Sequence, residues 1–291
     1  MRVPFGLLSV LVVTTIHATP VLLLLGLASF VPELRWDAVP SISLRLLVLL
    51  AVAPLGYATL FMLGAAAISR PYQRAIVPGR FPRDVSHPVY RARRIYGLCW
   101  TSVYYHKPVY YLLLTIPALR KLMFRAFGYR GQLDFTVYPD TWIRDLPLLD
   151  LGAAAYLANR ATLGTNMALS NGTCFVDRIR VGAGATVGHL AVLAPGATIG
   201  ERAEVGATTV VGIGVRVGDR ANLQPCAGIN HAARIGDGAT VGSAAYVGAA
   251  AIVVAGAHVP PAGSVPNRTR FGDEVQPVQA ESAPAAANAA S

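Results

Sequence analysis

A six-residue repeat governs the second half of the chain. From Leu151 to Val265 every sixth residue is Leu, Ile, Val or Phe, which makes twenty consecutive positions in phase. The next residue is usually Gly, and the fifth residue of each hexad is nearly always Ala or Thr. A period of six fits neither an α-helix nor a plain strand, so it indicates stacked short strands separated by tight corners. The aliphatic residue and the small residue two places before it should point inward, and Gly is expected at corners because positive φ costs it little.

These hexads, including VGAGAT, VGHLAV and LAPGAT, resemble the hexapeptide-repeat superfamily, the left-handed parallel β-helix of acyltransferases, over roughly residues 145–270. The resemblance implies a mainly β fold in which three hexads form one triangular coil. Residues three hexads apart then stack one strand spacing apart, about 4.8 Å. We expect about six to seven coils within residues 138–270. The left hand is implied by the resemblance alone, since the general crossover rule favours the opposite hand.

The N-terminal region has the composition of a membrane anchor. Two apolar runs of 27 residues each, Phe5 to Val31 and Ile42 to Ile68, are long enough to cross about 30 Å of hydrocarbon. A cleaved signal peptide has a shorter apolar region and is not followed at once by a second span. Residues 1–69 are therefore predicted to form a transmembrane helical hairpin.

A basic segment follows the hairpin. Residues 70–130 contain twelve Lys or Arg and a single acid, Asp84. The positive-inside rule then places the β-helix on the cytoplasmic side of the inner (cytoplasmic) membrane, with membrane lipid rather than nucleic acid as the partner of the basic residues. Residues 70–137 are predicted to be basic interfacial helices. Their aromatic stretch 96–119 suggests an interfacial or re-entrant helix pair broken at Pro108, with a third span as the alternative. Residues 271–291, rich in Ala, Pro and Ser, are predicted to be a disordered tail.

The family resemblance implies acyl transfer from acyl-CoA, most simply acetyl-CoA, to a hydroxyl or amine, with a histidine as general base. Imidazole suits this role because it titrates near neutral pH. His231 and His189, each at the third position of a hexad, are the candidate bases. The candidate orienting or substrate-binding residues are Asn171, Asn166, Asn230 and Asp177.

Register predicts how these residues stack. Asn171 precedes His189 by three hexads and should lie directly beneath it, and Asn159 should stack in the same way with Asp177. The repeat is expected to continue without the loop excursion that often carries the catalytic histidine in soluble relatives. His106, predicted near the membrane boundary, is a further candidate, and Tyr138, Asp140, Trp142, Arg144 and Asp145 are expected to cap the open end of the β-helix.

No metal site is predicted, because the histidines within the repeat lack ligand spacing. Cys174 is expected to be a packed thiol rather than a nucleophile. Two functions from different classes fit these features. One is a membrane-anchored acyltransferase, most simply an O-acetyltransferase, acting on a lipid-linked sugar, polysaccharide precursor or metabolite. The other is a non-catalytic trimeric scaffold. A homotrimer is implied by the resemblance in both cases.

Overall fold

The computed structural model describes the backbone of residues 4–29 and 42–272, so most of the predicted disordered tail lies outside the described residues. Five α-helices precede the repeat within these ranges. They are α1 (Phe5–Ser29), α2 (Ile42–Ser69), α3 (Pro88–Tyr105), α4 (Lys107–Thr115) and α5 (Pro117–Ala126), with short 3-10 segments at Arg70–Ala75 and Leu146–Leu148. Two stretches, Phe5–Gly26 and Val52–Ala75, are long and apolar enough to cross a bilayer by length and composition.

The strands are short, as a six-residue repeat requires. They are β1 (Gly79–Pro82), β2 (Phe135–Val137), β3 (Trp142–Ile143), β4 (Leu149–Leu151), β5 (Ala155–Leu157), β6 (Thr162–Leu163), β7 (Asn166–Ala168), β8 (Thr173–Val176), β9 (Ile179–Val181), β10 (Thr186–Val187), β11 (Val192–Leu193), β12 (Thr198–Ile199), β13 (Glu204–Val205), β14 (Val210–Val211), β15 (Arg216–Val217), β16 (Asn222–Leu223), β17 (Gly228–Ile229), β18 (Arg234–Ile235), β19 (Thr240–Val241), β20 (Tyr246–Val247), β21 (Ile252–Val253), β22 (His258–Val259), β23 (Ser264–Val265) and β24 (Arg270–Phe271).

Three parallel sheets of seven strands each form the faces of a solenoid. Face 1 contains β2, β5, β10, β13, β16, β19 and β22, face 2 contains β3, β6, β11, β14, β17, β20 and β23, and face 3 contains β4, β9, β12, β15, β18, β21 and β24. We call the corner between faces 1 and 2 corner 1–2, and name corners 2–3 and 3–1 in the same way. The predicted hexapeptide-repeat parallel β-helix of six to seven coils is confirmed.

The core follows the predicted inward positions. From β10 onward, strands pair with an offset of three hexads, as in Thr186 with Glu204. The aliphatic first residue and the small fifth residue point inward, so that Ala185 and Val187 are both fully buried. Each coil therefore presents a closed ring of Ala, Val, Leu and Ile to the next, which excludes water from the interior.

One expectation about the repeat is wrong. Thr162 pairs with Val192 and Tyr156 pairs with Thr186, an offset of five hexads rather than three. The two additional hexads form an antiparallel hairpin of β7 and β8 at corner 2–3, and β1 adds a third strand to it. Because the excursion is a whole number of hexads, it leaves the six-residue phase unchanged and is hidden in the sequence. Leu169 and Phe175, in phase with the repeat, are only partly buried there.

The role assigned to the corner glycines also needs correction. Positive φ occurs at the fourth residue of the hexads, for example Leu190 at 58° and Thr208 at 56°, and not at the common Gly of the second position. That Gly is needed for space. A Cβ placed on Gly188 would lie 2.7 Å from the backbone nitrogen of Ala207 in the next coil. Close stacking of coils, rather than backbone conformation, selects Gly at this position.

Helices α3, α4 and α5, which we call the helical cap, cover the first coil of the solenoid. The Trp100 Nε1 donates a hydrogen bond to the Ile143 carbonyl at 2.5 Å, and the Tyr129 hydroxyl lies 3.3 Å from the Leu151 carbonyl oxygen. Tyr96, Trp100 and Tyr110 are fully buried. The aromatic residues of the stretch 96–119, which is predicted to be interfacial, therefore largely pack within the protein, because the open end of the solenoid offers them apolar surface.

Candidate active site

His231 is held by a backbone hydrogen bond. The Ile213 N–H, one coil below, donates to Nδ1 of His231 at 3.0 Å. A neutral imidazole that accepts a hydrogen bond at Nδ1 carries its own proton on Nε2. Neither ring nitrogen then has a free lone pair with which to take a proton from a substrate. Its neighbour Asn230 accepts from the His231 N–H at 2.7 Å and donates to the Tyr246 hydroxyl at 2.6 Å.

The bond at His231 belongs to a recurring ladder. At the same hexad position, Asp219, Asp237 and Asn267 each accept from the backbone N–H of the residue three hexads before, at 2.7–2.9 Å. These side chains satisfy corner N–H groups that the strands leave unpaired. The geometry of His231 is therefore that of a structural acceptor, and its catalytic role stays a prediction that this bond disfavours.

His189 occupies the same hexad position at corner 1–2, but its ring is not part of the ladder. Its backbone carbonyl accepts from the Thr208 N–H at 2.8 Å, while within the described residues no hydrogen bond to the exposed imidazole is found. Strand register places Asn159 directly below it. Asn159 Oδ1 is buried and has no hydrogen-bond partner in the described part of the chain. The imidazole of His189, which has no hydrogen bond within the described ranges, thus lies one coil above an amide oxygen that has none either. We call this offset of one strand spacing one rung.

The expected stack of Asn171 beneath His189 is wrong, as is that of Asn159 with Asp177. Asn171 lies at the tip of the hairpin, where its Oδ1 accepts from the N–H and the hydroxyl of Thr173 at 3.1 and 2.7 Å. The two inserted hexads displace it from the corner. His189 instead stacks on Asn159, five hexads earlier, because both flanking strand pairs have this offset.

The remaining candidates gather at corner 2–3. Asn166 begins β7 and its Nδ2 lies 4.0 Å from Cys174 Sγ, while Asp177 ends the hairpin and accepts from the Arg178 N–H at 2.7 Å. Asp177 lies three rungs below His231, about 14 Å away by strand spacing. The structure therefore divides the predicted site residues between two corners and places His189 alone among them at corner 1–2.

The lower end of corner 1–2 carries two polar residues that the sequence did not single out, Lys107 and Tyr104, which both contact Asp140. The Lys107 ammonium lies 3.0 Å from Asp140 Oδ1 and 3.3 Å from the Pro139 carbonyl oxygen, and 3.9 Å from the Tyr104 ring centre. The Tyr104 hydroxyl donates to the Asp140 carbonyl at 3.2 Å. Burial, with a smaller contribution from the Asp140 carboxylate, raises the pKa of Tyr104 to about 12, so this hydroxyl stays a donor. The available sequence signal for Lys107 was the Pro108 that follows it, because proline is typical of the first turn of a helix.

A buried ion pair joins the helical cap to the base of the hairpin. Arg93 Nη2 lies 2.6 Å from Asp145 Oδ2, and the Thr165 hydroxyl donates to the same oxygen at 2.6 Å. All three residues are buried. Asp145 was expected to cap the solenoid end, and its contacts are those of a cap. No group of three or more His, Cys, Asp or Glu able to hold a metal occurs among the described residues.

No protein-family model and no curated protein matches the chain. Solved structures do. A GDP-perosamine N-acetyltransferase variant from Caulobacter crescentus, solved with CoA and GDP-perosamine, is 19% identical with a TM-score of 0.28, covering 55% of this chain and 63% of that one. The acetyltransferase domain of PglB from Neisseria gonorrhoeae is 18% identical with a TM-score of 0.22, covering 55% and 65%.

A UDP-N-acetylglucosamine acyltransferase from Campylobacter jejuni is 12% identical with a TM-score of 0.22, covering 50% of this chain and 73% of that one. This chain therefore matches less than two thirds of the length of the first two proteins. Because all three TM-scores are low, the fold assignment rests on the strand register described above.

Proposed function

We propose that the protein is a membrane-anchored acyltransferase that uses His189 as a general base. The observation that carries the proposal is the free imidazole of His189 at a solenoid corner, in contrast to the hydrogen-bonded ring of His231. An exposed imidazole with an available lone pair can accept a proton from a substrate hydroxyl. The donor is an acyl-CoA, most simply acetyl-CoA, and the acceptor carries a hydroxyl or an amine.

The reaction needs one base and no covalent enzyme intermediate. Nε2 of His189 removes the proton from the acceptor hydroxyl as its oxygen bonds to the thioester carbonyl carbon. The C–S bond then breaks, and the proton passes from the imidazolium to the departing sulfur. The products are an acyl ester and free CoA. Backbone N–H groups at the solenoid corner supply donors of the kind that hold the developing oxyanion.

Asn159 is the orienting residue in this proposal. For Nε2 to act as base, the proton of the neutral ring must lie on Nδ1. The buried and unpartnered Oδ1 of Asn159, one rung below, is an acceptor suited to hold it there. An oriented imidazole keeps the required tautomer, as the carboxylate does in catalytic triads.

The proposal also includes the location of the enzyme at the membrane and its assembly as a homotrimer. Two helices that are long and apolar enough to cross a bilayer support an anchor in the inner membrane. The basic residues of 70–130 favour a cytoplasmic solenoid, where acyl-CoA is available. The fold resemblance favours a homotrimer, in which each donor site lies between neighbouring solenoids.

Release of CoA tests the function. Full-length protein in detergent, given acetyl-CoA and membrane extract as the source of acceptor, should release free thiol. We expect His189→Ala to lose at least a hundredfold in rate, which is the lower range for a general base. His258→Ala, at an exposed histidine on face 1, is the matched control and should retain wild-type release. If wild type and His189→Ala release CoA equally slowly, the scaffold hypothesis replaces this one.

A further inference from the structure

A groove runs along α1 where it contacts the turn between α3 and α4. Its upper part is a cavity of about 590 Å³, whose lining includes Val13, His17, Thr101, Ser102, His106 and Lys107. A second cavity of about 520 Å³ continues from it through Val13 and His17 and is lined further by Thr14, Ala18, Val21 and Leu22. We call these two cavities together the helix groove. One end of it is polar and the other is apolar.

His17 is the only titratable residue of the apolar helix α1. Its ring centre lies 4.9 Å from that of Phe61 and 6.4 Å from that of His106, with the two imidazoles nearly parallel. His106 Nδ1 is buried and has no hydrogen-bond partner within the described residues. Polar or ionisable groups inside a membrane segment are expensive, and their usual explanation is a bound substrate or ion pathway.

Further polar groups surround the two imidazoles. The Ser102 and Thr101 hydroxyls donate to the Leu98 and Gly97 carbonyls at 2.8 and 2.7 Å, which leaves their oxygens free to accept. The Lys107 ammonium adds a positive charge at the rim, shared with Asp140. Imidazole N–H groups and an ammonium are suited to an anionic head that also offers hydroxyl groups.

The apolar end identifies the occupant as a lipid. Val21, Leu22 and Leu25 of α1 are 45, 65 and 63% exposed, on a helix apolar enough to cross the bilayer. A hydrocarbon chain lying along Ala18, Val21 and Leu22 would therefore remain continuous with the membrane. A soluble anion would use only the polar end of the helix groove.

The helix groove also leads to His189. Lys107 contacts the carbonyl of Pro139, and strand register stacks Pro139, Asn159 and His189 in one column at corner 1–2. His189 is thus two rungs above Pro139, about 10 Å by strand spacing. We propose that the helix groove binds a phosphorylated long-chain lipid, the head of which carries the acceptor hydroxyl to His189. The acceptor assignment rests on the proposed acyl transfer, whereas the binding of the lipid does not.

Native mass spectrometry of the full-length protein in detergent, with a long-chain polyprenyl phosphate as the probe, tests the binding without any donor. We expect His17→Leu combined with His106→Leu to weaken binding about tenfold or more, because hydrogen bonds to a charged head are lost. Ala18→Trp should fill the apolar end and weaken the long-chain probe while sparing a short-chain phosphate ester. His258→Ala is the control and should bind as wild type.

Two results would overturn the proposal. One is equal binding of the probe by wild type and the double histidine variant. The other is equally tight binding of the unphosphorylated polyprenol, since the groove would then be an unspecific lipid contact. Acyl transfer is judged separately. If wild type binds the probe but releases no CoA, lipid binding by the groove stands and the proposed acyl transfer is rejected. If the groove variants release CoA like wild type, the acyl transfer stands and the role of the groove in presenting the acceptor is rejected.

Discussion

At the scale of single residues, the two corner histidines differ in one hydrogen bond. Both stand at the third position of a hexad, yet only His231 accepts a backbone N–H from the coil below. Ile213 lies one rung below His231 and its backbone N–H donates to the ring, whereas Asn159 lies one rung below His189 and its amide oxygen has no partner in the described part of the chain. Histidine is therefore a structural acceptor at corner 2–3, whereas at corner 1–2 its ring has no hydrogen-bond partner within the described residues.

The ladder predicts that His231 can be replaced by another acceptor. Asn267 already performs the same role at this corner, accepting from the Ala249 N–H. We expect His231→Asn to unfold thermally like wild type and to release CoA at the wild-type rate, while His231→Ala loses about 1 kcal/mol of stability. Thermal unfolding in detergent and the thiol assay measure both. Loss of CoA release by a stable His231→Asn protein would return the catalytic role to this residue.

The corner glycines give a second prediction at this scale. We expect Gly188→Ala to cost about 1–3 kcal/mol, because its Cβ would meet the Ala207 nitrogen at 2.7 Å. Leu190→Gly should change stability by about 1 kcal/mol or less, because relief at positive φ and the greater freedom of the unfolded chain offset each other. Thermal unfolding compares the two. The opposite ranking would mean that backbone conformation, and not space, selects these glycines.

At the scale of elements, the hairpin of β7 and β8 shows what the sequence could and could not predict. The six-residue pattern predicted the strands, the inward positions and the number of coils, because each depends on local alternation. The hairpin could not be recognised from this pattern, because its length of two hexads leaves the six-residue phase of the repeat unchanged. One local signal was present, since Asn171 and Gly172 stand between two short strands and Asn-Gly favours a hairpin turn. The stacking of His189 on Asn159 could not be predicted without the resulting register.

Removal of the hairpin tests which corner is active. Deleting residues 166–177 restores the three-hexad offset between Thr162 and Val192 and leaves the in-phase hexad LGTRIR. We expect the variant to keep its β circular dichroism and its CoA release, because His189 lies at a different corner. A folded variant without CoA release would place the chemistry at corner 2–3. Exchange of Asn171 for Asp, which keeps the turn acceptor, is a control with an intact hairpin.

The buried ion pair between helical cap and solenoid gives a further prediction. Asp145→Asn should cost about 3–5 kcal/mol, because it leaves the Arg93 guanidinium buried without a counter-charge. Arg93→Met combined with Asp145→Leu should recover most of that loss. Thermal unfolding of Arg93→Met, Asp145→Leu and the double variant forms the cycle. Independent, additive effects would show that the pair does not couple the two elements.

At the scale of the whole molecule, one column of residues connects the apolar helices with the candidate base. Lys107 of the helical cap contacts the first coil at Pro139, and His189 lies on the same column two rungs away. The sequence predicted the apolar helices and the solenoid separately. It could not predict their junction, because the contacts of Trp100, Tyr104 and Tyr129 with the first coil follow from tertiary packing and have no periodic pattern.

The proposed use of cytosolic acyl-CoA requires the solenoid to face the cytoplasm, and the cysteines of the chain allow this to be measured. Cys226 is exposed on the solenoid, whereas Cys99 and Cys174 are buried. A membrane-impermeant maleimide should therefore label the protein in lysed cells and not in intact cells. Cys226→Ser should abolish the labelling, which confirms its site. Labelling of Cys226 in intact cells would place the solenoid outside, away from acyl-CoA, and would contradict both the charge-based topology and the proposed donor.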